Sequence, residues 1–180
     1  MADWLIAPAE EADLPAVVAL VNSAYRGDSS RAGWTTEADY LDGQRTSLKD
    51  LKADLAGPGP RTLLVLRREA GGEILACVLV EPMARPDGLA AYIGMVTVKP
   101  TLQAEGLGRT MLAAAEAQGR AIGAARARMT VVSIRESLIA WYQRRGYHLT
   151  GERLPFPYDD ERFGLPRRPD LEFVVLEKPL

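Results

Sequence analysis

Residues 96–110 read Val96-Thr97-Val98-Lys99-Pro100-Thr101-Leu102-Gln103-Ala104-Glu105-Gly106-Leu107-Gly108-Arg109-Thr110. An apolar strand runs into a tight loop with two glycines, and the loop runs into a helix. Such a loop can aim successive backbone N–H groups at one point, at the positive end of the helix dipole. Glycine is needed where a side chain would block a ligand's approach to the backbone. The physics suits a phosphate or pyrophosphate. A nucleotide P-loop requires Gly, four residues, then Gly-Lys-Ser/Thr, and no such string occurs. The dinucleotide fingerprint G-x-G-x-x-G fails as well, because its third glycine would fall at Met111. The remaining pattern is Q/R-x-x-G-x-G/A, met by Gln103, Gly106 and Gly108.

Outward from this segment, the chain reads as a mixture of strands and helices without regular alternation. A first strand spans 3–8, and a helix capped by Asp13 follows, with Leu14, Val17, Val18, Val21 and Tyr25 at helical spacing. A polar, turn-rich stretch covers 26–46, and a short helix covers 47–56. Strands at 61–68 and 73–81 flank Gly71-Gly72 as a hairpin; 82–88 reads as a turn and 90–98 as a strand. The helix after the glycine loop covers 107–122, ended by Gly123. A strand at 126–132 precedes Ser133-Ile134-Arg135-Glu136, which has capping-box spacing and opens a helix to Arg145, with Gly146 after it. Strands at 147–154 and 171–178 enclose a proline-rich loop, 155–170. This order excludes a doubly wound sheet or a (β/α) barrel.

Composition narrows the chemistry. The 180 residues are 47% hydrophobic and 26% charged, which excludes disorder. The longest aliphatic run, Ile74 to Val80, is far short of the roughly 20 residues of a membrane span. Acidic residues at Asp3, Glu10 and Glu11 interrupt any signal-peptide core, so a cytoplasmic location is expected. Cys77 and His148 are each the only residue of their type, so neither an internal disulfide nor a structural zinc site is expected. His148 reads as an ordinary half-exposed strand residue. A net charge of −2 argues against nucleic acid as the partner. The N-terminal half is acidic and the C-terminal half basic, which fits either opposed ligand-binding faces or mixed solvated ones.

On these residues the chain resembles the GNAT acyl-CoA N-acyltransferase superfamily, in which the glycine loop holds the pyrophosphate of acetyl-CoA. Three further features carry the resemblance: the strand Tyr92–Val98 before the loop, Tyr142 ahead of the pair Gly146-Tyr147, and the opening Glu11-Ala12-Asp13-Leu14-Pro15. It covers nearly the whole chain. It implies an α+β fold, with a central mixed, mostly antiparallel sheet of about seven strands and helices on both faces, in a single domain over 1–180. It implies acetyl-CoA as the acyl-donor cosubstrate and no metal. The cofactor residues it implies are Met95, Val96, Thr97 and Val98 on the strand, and Gln103, Ala104, Glu105, Gly106, Leu107, Gly108, Arg109 and Thr110 in the loop and first helical turn. Where many relatives have an asparagine that contacts the pantetheine arm this chain has Arg135, and Leu138 replaces a frequent alanine. Ser133 or Ser137 is a candidate substitute.

The resemblance further implies direct attack of an amine on the thioester. Tyr142 would hydrogen-bond the departing sulfur, and its alternative role is packing on an amphipathic helix. Glu81 is the candidate general base, with Tyr92 and a water relay as alternatives. The acceptor side is expected in the two variable segments. Trp34, Glu37, Tyr40, Asp42 and Arg45 are candidates from the first. Tyr158, Asp159, Asp160, Arg162 and Phe163 are candidates from the second. Carboxylates would suit a cationic amine, and Arg45 or Arg162 a substrate carboxylate. Arg144 and Arg145 read as favourable charges near a helix C-terminus. The expected partner is a small-molecule amine, with no nucleic acid and no membrane, and a homodimer is compatible. A protein N-terminal or lysine acetyltransferase is the alternative within the class, and a non-catalytic CoA-binding sensor the alternative outside it.

Overall fold

The structure, a computed structural model, describes residues 3–180. Its strands are β1 (Leu5–Pro8), β2 (Leu41–Asp42), β3 (Thr62–Arg67), β4 (Ala76–Arg85), β5 (Gly88–Val98), β6 (Arg126–Val132), β7 (His148–Pro155), β8 (Leu165–Pro166) and β9 (Glu172–Pro179). Its α-helices are α1 (Leu14–Tyr25), α2 (Leu48–Leu55), α3 (Leu107–Ala121) and α4 (Glu136–Gln143). Seven strands form one sheet in the order β1-β3-β4-β5-β6-β9-β7. Every pair is antiparallel except β5 with β6. The mixed, mostly antiparallel sheet expected from the sequence is therefore present.

Helices cover both faces, which is why the central strands are apolar on both sides. Leu64 and Leu66 of β3 and Val78 and Val80 of β4 join Met111 and Leu112 of α3 and Ile139 of α4 in one cluster. The alternate residues Leu63, Val65, Cys77 and Leu79 join Val17 and Val21 of α1 and Leu51 of α2 in the other. Period-two side-chain alternation sends each strand's residues to both layers. Gly119 lets α3 approach closely, since a Cβ there would lie 2.9 Å from the Ala91 Cβ on β5.

Several local expectations need correction. Asp13 does not cap α1: it ends a 3-10 turn, accepts from the Glu10 N–H at 2.9 Å and pairs with Arg67. Residues 82–88 are not one turn, because β4 runs on to Arg85 and the chain reverses at Pro86-Asp87. Pro82 is tolerated because β4 has lost its β3 partner beyond Val80, so the missing N–H faces no acceptor. Ser133 makes no capping box: its N–H bonds to the Glu172 carbonyl, and Arg135 is the residue that precedes α4. The long loop 155–170 contains β8, which pairs with β2 and so ties the two variable segments together.

The feature that shapes the site is a β-bulge. Cys77 pairs with Thr97 and Leu79 with Gly94, so two steps along β4 match three along β5. Met95 absorbs the extra residue with a left-handed φ of 52°. Its carbonyl accepts from the Thr97 hydroxyl at 2.8 Å, and its side chain is buried in the α1/α2 layer. Bulges bend their strand. The pairing of β5 with β6 covers only Ala90–Tyr92 against Arg126–Arg128, and beyond it the two parallel strands splay apart.

Leu66, fully buried between β3 and α3, tests this packing. Leu66→Ala should lower stability by about 2–5 kcal/mol in chemical denaturation with an unchanged denaturant slope.

Candidate active site

Two cavities lie along β5 beyond its pairing with β6. The first runs from the splay to the glycine loop, and its wall includes Val96–Val98, Gln103, Ala104, Gly106, Gly108 and Arg109. The second lies on the other side of the bulge, against β5, β6 and the two variable segments. Tyr25, Val96, Arg135, Leu138 and Tyr142 line both. Any molecules in the two cavities would meet at this shared wall.

The glycine loop has the geometry its sequence implies. Ala104 and Gly106 both take left-handed φ values, 72° and 90°, and no atom lies within 4 Å of a Cβ placed at Gly106. The first turn of α3 lacks intrahelical acceptors for its leading N–H groups. The Thr110 N–H is the first to close the helix, onto the Gly106 carbonyl at 3.1 Å. Arg145 lies 3.5 Å over the ring of Trp141 and donates to the Trp141 carbonyl. Burial and the nearby guanidiniums of Arg109 and Arg144 pull its pKa down. A dianionic group relieves that crowding of positive charge, so the loop and its neighbours fit a pyrophosphate.

Not every residue assigned to this loop faces the cavity. Gln103 lines the first cavity and also holds the loop in shape: its amide oxygen accepts from the Trp34 N–H at 3.0 Å and its NH2 donates to the Val98 carbonyl at 3.3 Å. Glu105, Leu107 and Thr110 do not line either cavity; Leu107 is buried in the core, and the Thr110 hydroxyl donates to the Gly106 carbonyl. Met95 lines the second cavity and Thr97 and Val98 the first.

At the shared wall, the Tyr25 hydroxyl donates to the Val96 carbonyl at 2.9 Å, pinning the bulge to the end of α1. Tyr142, on α4, is 6% exposed and packs edge-on between Trp141 and Tyr147. Burial raises its pKa well above the ordinary tyrosine value, so it stays protonated. Arg135 donates to Thr35 Oγ1 at 2.7 Å and to Glu37 Oε1 at 3.2 Å, tying α4 to the first variable segment. Neither Ser133 nor Ser137 lines either cavity.

Glu37 is the buried acid of the site. Arg26 donates to its Oε2 through two nitrogens, at 2.8 and 3.2 Å. Burial opposes its ionisation, but the guanidiniums of Arg135, Arg26 and Arg45 outweigh it and hold the carboxyl below its ordinary value. Glu81 is not brought to the site. It is paired with Arg61, which tempers the rise in its pKa caused by burial, and it lines neither cavity. Tyr92, its cross-strand neighbour, does line the second cavity and shares a 2.7 Å hydrogen bond with Thr130.

The remaining candidates divide. Trp34 belongs to the first cavity, near Trp141, and not to the acceptor side expected for it. Arg45 and Phe163 line the second. Asp42 is taken by Arg167 and Asp160 by Arg162, and the Tyr158 hydroxyl donates to the Arg168 carbonyl. Asp159 and Tyr40 line neither cavity. Sequence reasoning missed Arg26 and the polar role of Tyr25. Their partners lie far along the chain, and no local pattern reports such contacts. Cys77 is buried, and burial pushes its thiol up to about 12, so it is not a nucleophile. No helix among the described residues is long and apolar enough to cross a membrane.

The sequence model of the acetyltransferase (GNAT) family matches residues 18–147. No curated protein matches the chain. Among solved structures, the ribosomal-protein-alanine N-acetyltransferase from Brucella melitensis is similar with a TM-score of 0.70 at 22% identity, covering 98% of this chain and 99% of that one. The yncA protein from Salmonella typhimurium, solved with acetyl-CoA, is similar with a TM-score of 0.68 at 20% identity, over 99% and 94% of the two chains. Naa20 from Chaetomium thermophilum, solved with a bisubstrate analogue, gives 0.68 at 20% identity, over 98% and 86%. At these identities the likeness is one of fold.

The charge network at Glu37 makes a pH-dependent prediction. Its folded pKa is depressed, so its contribution is complete above the unfolded value near about 4.3 and is lost as pH falls through the folded one. Glu37→Gln should destabilise by about 3–5 kcal/mol near neutrality, because two buried arginines lose their partner. Denaturant titrations across pH should show the gap to the wild type shrinking below pH of about 4.

Proposed function

Because the chain belongs to the GNAT acetyltransferase family, we propose that it is an N-acetyltransferase that moves an acetyl group from acetyl-CoA to the primary amine of a small molecule. The observation that carries this reading is the pair of cavities sharing Val96 and Tyr142, with the glycine loop at the far end of one. In this reading the first cavity takes the cofactor, with its pyrophosphate against Gly106, Gly108 and Arg109. The second takes the acceptor. Acetyl-CoA supplies a thioester carbonyl open to attack and a sulfur that departs.

The residues of the chain do the rest. Burial keeps the Tyr142 proton in place, so its hydroxyl donates a hydrogen bond to the departing sulfur and does not surrender the proton. Full transfer from an unperturbed tyrosine to a thiolate is already uphill by roughly 2 kcal/mol, and burial makes it harder. Neither carboxylate near the sheet suits the base. Glu37 is held ionised by its arginines, and Glu81 is outside both cavities. The guanidiniums around the acceptor cavity disfavour an ammonium there, so the incoming amine is driven to lose its proton to solvent. The walls then hold amine and thioester together, which replaces a bimolecular encounter with a positioned one. The Met95–Val96 bulge sets that position.

Two variants test the two halves. Gly106→Val puts a side chain on a left-handed residue at the cofactor loop and should weaken CoA binding in calorimetric titration while the protein stays folded. Tyr142→Phe keeps the ring and should lower kcat about 100- to 10,000-fold with CoA affinity nearly unchanged. Wild-type single-turnover rates in folded Tyr142→Phe would remove the hydroxyl from the chemistry.

A further inference from the structure

The ionisable groups of the second cavity do not balance. Its wall holds Arg26, Arg45 and Arg135 against a single carboxylate, Glu37. Arg26 and Arg135 both direct their guanidiniums at Glu37. Arg45 is different. Its side chain is half-buried and lies 5.4 Å from the centre of the Tyr25 ring. No acidic group lies within ion-pair distance of it among the described residues; Glu37 and Asp54 feel it only at longer range. The other basic residues of the variable segments are committed, Arg31 to Asp39, Arg162 to Asp160, Arg167 to Asp42 and Arg168 to Asp170.

The position of Arg45 gives this cation a use. The ring of Tyr25 lies under its guanidinium, and the hydroxyl of the same Tyr25 ends on the Val96 carbonyl at the bulge. A group held by Arg45 is therefore about one tyrosine side chain from the place where the two cavities meet. Phe156, Phe163 and Phe173 line the same cavity with apolar surface. A partly desolvated cation in such a wall gains more from an anion than it would in water, and a guanidinium offers a carboxylate two parallel N–H donors.

We propose that the acceptor is a compact amine that also carries a carboxylate, and that Arg45 receives the carboxylate while the amine points to the Val96–Tyr142 wall. The inference rests on the functional reading above for the role of the second cavity, and it adds the substrate class. The anion offsets the excess positive charge of the wall. The amine, farther along, stays among the arginines that favour its neutral form. The short span favours an amino-acid-like molecule over a protein N-terminus, whose backbone brings no free carboxylate close to its amine.

The test uses matched amines that differ only in that group: a panel of amino acids and the corresponding carboxamides, each assayed for acetyl-CoA turnover and for binding to the CoA-loaded protein by calorimetry. The wild type should favour at least one acid over its amide by about tenfold or more in kcat/KM, with the difference mostly in KM. Arg45→Gln should erase most of that preference, Arg45→Lys should keep part of it, and Arg162→Gln should keep it all. Equal or better use of every amide, an unaltered preference in Arg45→Gln, or CoA binding with no acid bound or acetylated would each overturn the proposal. Failure of CoA itself to bind would instead overturn the functional reading, and this inference with it.

Discussion

One extra residue in β5 organises this protein. Met95 takes a backbone conformation that costs an ordinary residue about 1–3 kcal/mol, and the surrounding packing holds it there. Its side chain is buried under α1, its carbonyl takes the Thr97 hydroxyl, and the next residue takes the hydroxyl of Tyr25. The bend lets β5 and β6 pair over Ala90–Tyr92 and separate beyond it. In a flat sheet those residues would satisfy one another across a ladder. Here β5 lines two cavities and β6 lines the second, and the bulge stands between them.

The second constraint is electrostatic. Glu37, Arg26 and Arg135 are almost wholly buried, and each is tolerable there only because the others are present. The network joins α1, the first variable segment and the start of α4. Pairing of β2 with β8 brings the second variable segment to the same place. Residues that differ most from any regular pattern are thus fixed by a buried ion network and a two-residue strand pair. They form part of the wall of the second cavity.

Much of this was legible in the sequence, and the reason lies in how local each signal is. The glycine loop declares itself through Gly106 and Gly108, because backbone conformation and close approach are properties of a few adjacent residues. The strands β3–β6 and helix α3 follow from periodicity and from Gly123. The spacing to Gly146-Tyr147 singles out Tyr142, and the structure places it in the lining of both cavities. The failures involve competition between partners. Asp13 and Ser133 stand where caps belong, but Arg67 and the Glu10 N–H engage one carboxylate, and the strand pairing with Glu172 places the other residue differently. Glu81 sits at the expected height on the sheet but faces Arg61. The bulge itself left no mark, because Met95 is an unremarkable strand residue whose φ is set by contacts with α1 and β4.

In the proposed reaction two ligands meet at the Val96–Tyr142 wall from opposite sides of the bulge. The most direct measurement is a crystal structure of the protein with CoA. The pyrophosphate is expected against the N–H groups that follow Gly106, and the thiol end should reach the wall between Val96 and Tyr142 with the second cavity still open beyond it. CoA bound in the second cavity, or with its thiol directed away from Tyr142, would contradict that arrangement.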